Sequence, residues 1–170
     1  MKDVKWVTRE YVHVDRTACP WLIRKFIDPK AEFIFVPTEK IEEVVKTQRA
    51  IPFDAPDVEL GHHGEKCSFD AIIEKYKIKD SGVLELAKIV RAADTNKPEI
   101  ASEGPGLDAV MTGISILAKD DQEAVEKAKP VYDALYNNCK LKLIREKYKA
   151  EIEKMDRKRR REFLIKKLME

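Results

Sequence analysis

The chain has 170 residues, 44% of them hydrophobic, enough to bury one core without disulfides or structural metals. Charged residues make up 38%, yet 33 Lys+Arg against 31 Asp+Glu leave only +2, which excludes a uniformly basic nucleic-acid binder. The charge is unevenly spread: residues 140–170 hold 13 basic against 6 acidic side chains (net +7), and residues 1–139 hold 20 against 25 (net −5).

Lys5-Trp6-Val7-Thr8 begins a first strand, extended toward Val12 and Val14, which places His13 within it as a packed residue. Ala18 to Ile27 has helical spacing, with Leu22, Ile23, Phe26 and Ile27 on one face, and Asp28-Pro29 ends it. Glu32 to Val36 is a second strand closed by Pro37. Thr38 can cap a helix with Ile41, Val44 and Val45 on its apolar face, and Ile51-Pro52-Phe53 is a third extended piece. This β-α-β-α-β order predicts a small layer with parallel pairing. The rest reads as helices: Ala71 to Tyr76, Val83 to Ala93, Leu107 to Leu117, and a long stretch from Gln122. Asp120 with Glu123 looks like a capping box, and Pro130 should kink or split the long helix.

An apolar stripe of Leu135, Ile144, Tyr148, Ile152, Met155, Phe163 and Leu168 continues almost to the end. As one straight helix, residues 140–170 would span about 45 Å. So small a body cannot cover that length, so the tail must meet another chain, fold back or fray. The expected class is therefore α/β or α+β: an α/β layer over residues 1–60, a helical part over 68–139, and a basic C-terminal helix over 140–170.

Charges interrupt every apolar run well before the ~18–20 residues of a membrane helix. Met1–Glu10 is too charged for a signal peptide's apolar region. Cys19, Cys67 and Cys139 are far apart, as in a reducing compartment without a disulfide framework. Together these features predict a soluble cytoplasmic protein with no membrane partner. Two Gln and three Asn beside abundant Lys and Glu resemble a heat-adapted composition.

Gly61-His62-His63-Gly64-Glu65-Lys66-Cys67-Ser68-Phe69-Asp70 is the segment richest in metal-ligating groups. Imidazole and thiolate suit Zn²⁺, while carboxylates widen the choice to Fe or Mn. No Cys-x-x-Cys is present, so further ligands must come from elsewhere in the chain. The plainer alternative is a loop whose histidines cap the helix at Ala71 or touch buried carbonyls.

Val14-Asp15-Arg16-Thr17-Ala18-Cys19-Pro20-Trp21-Leu22-Ile23-Arg24 lies where the first strand meets its helix, the edge at which open α/β sheets bind ligands. Helix N–H groups and the Arg16 fork suit an oxyanion. Cys19, near both, is the candidate catalytic thiol. The alternative is an Asp15–Arg16 ion pair with Cys19 and Trp21 in the core. In Ile89-Val90-Arg91-Ala92-Ala93-Asp94-Thr95-Asn96, Asp94 can supply a carboxylate ligand and Arg91 can face the same pocket, or both can be a solvated charge pair.

Arg157-Lys158-Arg159-Arg160-Arg161 can neutralise phosphates, or equally form the solvated face of the terminal helix, paired at i,i+4 with Glu153 and the neighbours of Glu162. It lacks the aromatic interleaving of a single-strand platform, which ranks nucleic-acid contact below assembly as the expected use of the tail.

Together, Trp6-Val7-Thr8-Arg9, the Val14–Arg24 run, Glu59-Leu60 with the Gly61–Asp70 run, Ile89–Thr95 and Val131-Tyr132-Asp133-Ala134-Leu135-Tyr136 resemble the ChrB C-terminal domain family of chromate-resistance proteins. The resemblance covers residues 5–139 and leaves the basic tail outside. It implies a role in chromate resistance, often as a chromate-sensing regulator beside a transporter; the word chromate comes from the resemblance alone.

Two functional expectations follow. In the first, a binding or sensing module, His62, His63, Cys67 and Asp94 hold a divalent transition metal (Zn, Fe or Mn), while Arg16, Arg24 and Arg91 hold an oxyanion such as chromate. In the second, the same site serves a metal-dependent enzyme, an oxidoreductase or a hydrolase. Homo-oligomerisation through the terminal helix is compatible with both.

Overall fold

In the computed structural model, which describes residues 4–170, Trp6, Val7 and Thr8 are all buried within strand β1 (Lys5–Arg9). Burial on both faces marks a central strand. β1 pairs in parallel with β2 (Glu32–Val36) on one side and β3 (Ile51–Pro52) on the other, giving the order β2-β1-β3. Trp6 lies opposite both Phe33 and Ile51. The first three residues of the charged Met1–Glu10 stretch lie outside the described residues.

Side chains of a strand alternate between faces. Trp6 joins the main core, built with helix α1 (Val14–Phe26) and the later helices. Val7 faces a smaller cluster with Ile41, Val44, Ala50 and Ala55 under helix α2 (Ile41–Gln48). Thr38–Lys40 forms a single 3₁₀ turn ahead of α2, and no side chain caps it.

Besides the Thr38 cap, which does not form, two expectations for the N-terminal half need correction. β1 stops at Arg9 because Tyr11 adopts a left-handed conformation (φ 59°), so His13 sits in a loop and not in the strand. α1 then begins at Val14, four residues earlier than the spacing suggested, and continues through Pro20.

Helices α3 (Ser68–Lys75), α4 (Ser81–Asp94) and α5 (Gly104–Leu117) build the helical half with α6 (Asp121–Lys147). Glu123 N–H donates to Asp120 Oδ1 at 2.8 Å, the N-cap half of the expected box; the Glu123 carboxylate reaches the Lys119 amide instead. Pro130 does not split α6, which continues for 27 residues. The break falls at Tyr148. There the chain forms a short α7 (Lys149–Ile152), turns, and returns as α8 (Arg157–Met169).

Residues 140–170 are therefore the end of α6 plus two further helices. Of the outcomes open to so long a stripe, the chain folds back: Tyr148 and Phe163 pack edge to face at 5.4 Å, and Ile152 and Leu164 are buried. Among the described residues no helix is long and apolar enough to cross a membrane. Cys19, Cys67 and Cys139 are free and buried.

Candidate metal centre

Because β1 leads first to β2 on one side and then to β3 on the other, chain order reverses at β1. The crevice beyond the carboxyl ends of such strands is where open α/β sheets bind ligands. β1 ends there with Arg9, and β3 runs on into Asp54, itself left-handed (φ 43°). Arg9 Nε donates to the Asp54 carbonyl at 2.9 Å, and Arg9 Nη2 lies 3.4 Å from Asp54 Oδ2. A left-handed backbone at a residue other than glycine is costly and gathers at functional sites; Asp54 lines this crevice.

The loop after β1 is held by the Asp121 carboxylate, which accepts the Tyr11 and Val12 amides at 3.0 and 2.9 Å. α1 therefore enters with Asp15 and Arg16 facing the crevice. Asp15 is 2% exposed and receives two amides from the first turn of α3, Ser68 N–H at 2.7 Å and Phe69 N–H at 3.1 Å. These are N–H groups a helix cannot satisfy internally, at its positive end, so they hold a carboxylate well.

His62 reaches in from the glycine-flanked loop before α3. Its Nε2 lies 3.2 Å from Asp94 Oδ2, 3.3 Å from Asp54 Oδ1 and 3.4 Å from Asp15 Oδ2. One donor atom each from Asp15, His62 and Asp94 falls within 4.8 Å of the others. Asp54 Oδ1 also accepts the Ser68 hydroxyl at 2.9 Å. Arg9, His13 and Arg16 join these four around a hollow of about 250 Å³. It adjoins a wider, open hollow of about 710 Å³ that shares Arg9, Asp54 and His62 and reaches His63.

Three carboxylates crowd one imidazole, and the protons respond. Contact with Asp15, reinforced by the Asp94 and Asp54 charges, pushes His62 up to about 9. Burial, and then the Asp15 charge, pushes Asp94 up to about 7. Burial also lowers the Arg16 guanidinium from its usual range, with Asp54 opposing. Arg16 Nη1 lies 3.4 Å from Asp54 Oδ2 and Nη2 donates to the Tyr11 carbonyl at 2.9 Å, while the buried Nε has no partner.

Of the sequence-predicted residues, the crevice gathers His62, Asp94 and Arg16. His63 turns away, its Nε2 meeting the Glu59 carbonyl at 2.7 Å. Cys67 is the N-cap of α3: its amide and thiol both face Asp70 Oδ2, at 3.1 and 3.5 Å, and burial drives the thiol well above its ordinary range. Arg91 clamps the same Asp70 through two hydrogen bonds of 2.8 and 2.9 Å, tying α4 to α3. Arg24 lies near the far end of α1, paired with Glu126 at 2.6 Å and stacked over Phe33. Cys19 is fully buried beside Asp15 (3.6 Å), and burial raises its thiol strongly, the opposite of thiolate activation.

Asp54, Asp15, Arg9 and His13 are the residues that sequence reasoning missed as site members. The available signal was position: each sits at or just beyond the carboxyl end of β1 or β3. The resulting donor set is one imidazole and up to three carboxylates, rich in hard oxygen ligands, which suits Mn²⁺, Fe²⁺ or Zn²⁺ and needs no thiolate.

The fold and the crevice define a small parallel α/β layer with a carboxylate–imidazole centre at its switch point and a helical cover. The chain belongs to the chromate-resistance family defined by the ChrB C-terminal domain: the family described as "ChrB, C-terminal domain" matches residues 6–139. That span contains every residue of the centre and ends before the basic tail. The chain is 31% identical over 136 residues to Protein ChrB of Cupriavidus metallidurans, covering 79% of this chain and 40% of the length of that relative. No solved structure matches it.

Proposed function

We propose that this chain acts in chromate resistance as a binding module, in which Asp15, His62 and Asp94, with Asp54 beside them, hold a divalent transition metal. An oxyanion such as chromate then binds on the open side, against Arg16 and Arg9. The observation that carries this reading is the convergence of donor atoms from α1, the loop before α3, and the end of α4.

Charge sets the order of events. With His62 also cationic, Arg9, Arg16 and the imidazolium only balance Asp15, Asp54 and Asp94, so an oxyanion alone meets no net attraction; a divalent cation taking the place of the His62 proton makes the centre positive and offers a coordination position. Arg24 and Arg91 take no part, since both are engaged elsewhere. Calorimetric titration of molybdate, as a stable tetrahedral stand-in, into chelated and Mn²⁺- or Zn²⁺-loaded protein tests this. The expected result is binding only to the loaded form; equal affinity without metal would overturn the reading.

A second reading, a metal-dependent enzyme, is favoured by the openness of the site: the His62 side chain is 44% exposed. Loss of many equivalents of Cr(VI) per chain, with a supplied reductant, would select it. Uptake that stops at one equivalent would select the module.

A further inference from the structure

The basic tail lies outside the family match, and its structure changes what it can do. Folding back consumes its apolar stripe. Phe163 meets Tyr148, Leu164 is buried, and Lys140 Nζ donates to the Leu168 carbonyl at 3.2 Å, so α8 is fixed against α6. The hydrophobic face that could have served a partner helix or a bilayer is already occupied within the chain.

What faces solvent at the tip of this hairpin is Arg157, Lys158, Arg159, Arg160 and Arg161, all exposed. At about 100° per residue, five successive positions encircle the helix, so the first turn of α8 is basic all round. This arrangement works against helix stability. The N-terminal end of a helix carries positive partial charge and favours anions, and Arg157 and Arg161 are like charges one turn apart.

Neighbouring acids relieve little of it. Among the described residues, Asp156 lies 3.7 Å from Arg159 Nε, and Arg160 donates to the Met155 carbonyl; no carboxylate comes within ion-pair distance of Arg157, Lys158 or Arg161. Lys147, Lys149 and Lys154 expose three further cations at the same tip, with Glu146, Glu151, Glu153 and Glu162 also present. A rigid element that concentrates unpaired cations at the wrong end of its dipole is arranged for an external polyanion.

We propose that the α7–α8 tip docks on the sugar–phosphate backbone of double-helical nucleic acid without reading sequence. Four arginines supply planar forks for phosphate oxygens, and cations all around the helix can reach both walls of a groove. Single strands fit poorly, because the tail aromatics Tyr148 and Phe163 stack on each other and leave none for bases. A membrane fits poorly because the exposed apolar residues of α8, Ile165 and Met169, lie toward its other end. The acidic remainder of the chain (net −5) orients the molecule with its tail toward the polyanion.

Fluorescence anisotropy of a labelled duplex DNA, read across salt concentrations with the full chain, tests this. If the five tip cations each neutralise a phosphate, the logarithm of the binding constant falls against the logarithm of salt with a slope of roughly −4 to −5. Replacing Arg157, Lys158, Arg159, Arg160 and Arg161 together by Gln should weaken binding at least tenfold and flatten the slope, with the circular-dichroism melt confirming that the variant is folded. Replacing the four arginines by Lys should keep the slope. No duplex binding by the wild type at low salt, an undiminished slope in the Gln variant, tighter binding to single strands, or binding to phosphatidylserine vesicles but not to duplex would each overturn the proposal.

Discussion

Asp94→Asn should make the metal-free protein more stable while removing a ligand from the centre. Asp94 ends α4, where the helix dipole is negative, and it shares the crevice with Asp15 and Asp54. Its side chain is only 16% exposed, and burial with the Asp15 charge moves its carboxyl from 3.8 to about 7. The folded state thus holds this proton where the unfolded chain has lost it. The resulting penalty is absent below about 3.8 and fully present above about 7. At about 1.4 kcal/mol per tenfold change in acidity, ionised Asp94 costs the fold on the order of 4 kcal/mol. Asn still has to desolvate an amide and gives up its attraction to the His62 imidazolium, so a gain of roughly 1–2 kcal/mol is expected at pH 8. Urea unfolding in chelator, followed by far-UV circular dichroism, reads this directly. A variant at least 1 kcal/mol less stable than wild type at pH 8 would show that Asp94 is a structural partner and would refute the reasoning.

Asp15→Ala is the opposite case. It strands two amides at the start of α3 that now donate to a carboxylate, each bond worth about 1.5–3 kcal/mol; a drop in melting temperature of roughly 10 °C in chelator is expected, and an unchanged melt would contradict the anchoring role. His62 gives a pH signature of its own. Its folded value of about 9 exceeds the ordinary 6.5, so its contribution is complete below 6.5 and is lost as pH rises through about 9. The wild type in chelator should lose urea resistance across that window and His62→Gln should lose less; equal losses would refute the assignment.

The β-α-β-α-β order was legible because buried central strands and helices differ in period, and Pro29 and Pro37 mark the ends of the first helix and the second strand. The tail was only half legible. Its stripe showed that the helix needed cover, but the break at Tyr148 carries no proline or glycine, and only the edge-to-face contact with Phe163 shows why the chain turns back on itself there. At the site, His62 and Asp94 stood out by residue type, whereas Asp54 looked like part of an ordinary Pro-flanked loop. Its role depends on the sheet order, which places the end of β3 beside the end of β1, and strand order is a long-range property. The adjacent histidines were indistinguishable in sequence; the local pairing of His63 with Lys66 and its bond to the Glu59 carbonyl leave His62 alone in the crevice. Cys67 and Arg91 carried the right chemistry but serve Asp70, joining α3 to α4.

Metal content per chain tests the central claim most directly, measured by elemental analysis after purification from metal-replete expression for the wild type, His62→Ala, His63→Ala and Cys67→Ala. The centre described here predicts close to one equivalent of a divalent transition metal in the wild type, the same in His63→Ala and Cys67→Ala, and near-complete loss in His62→Ala. A wild type without metal, or metal retained by His62→Ala and lost with His63 or Cys67, would contradict it.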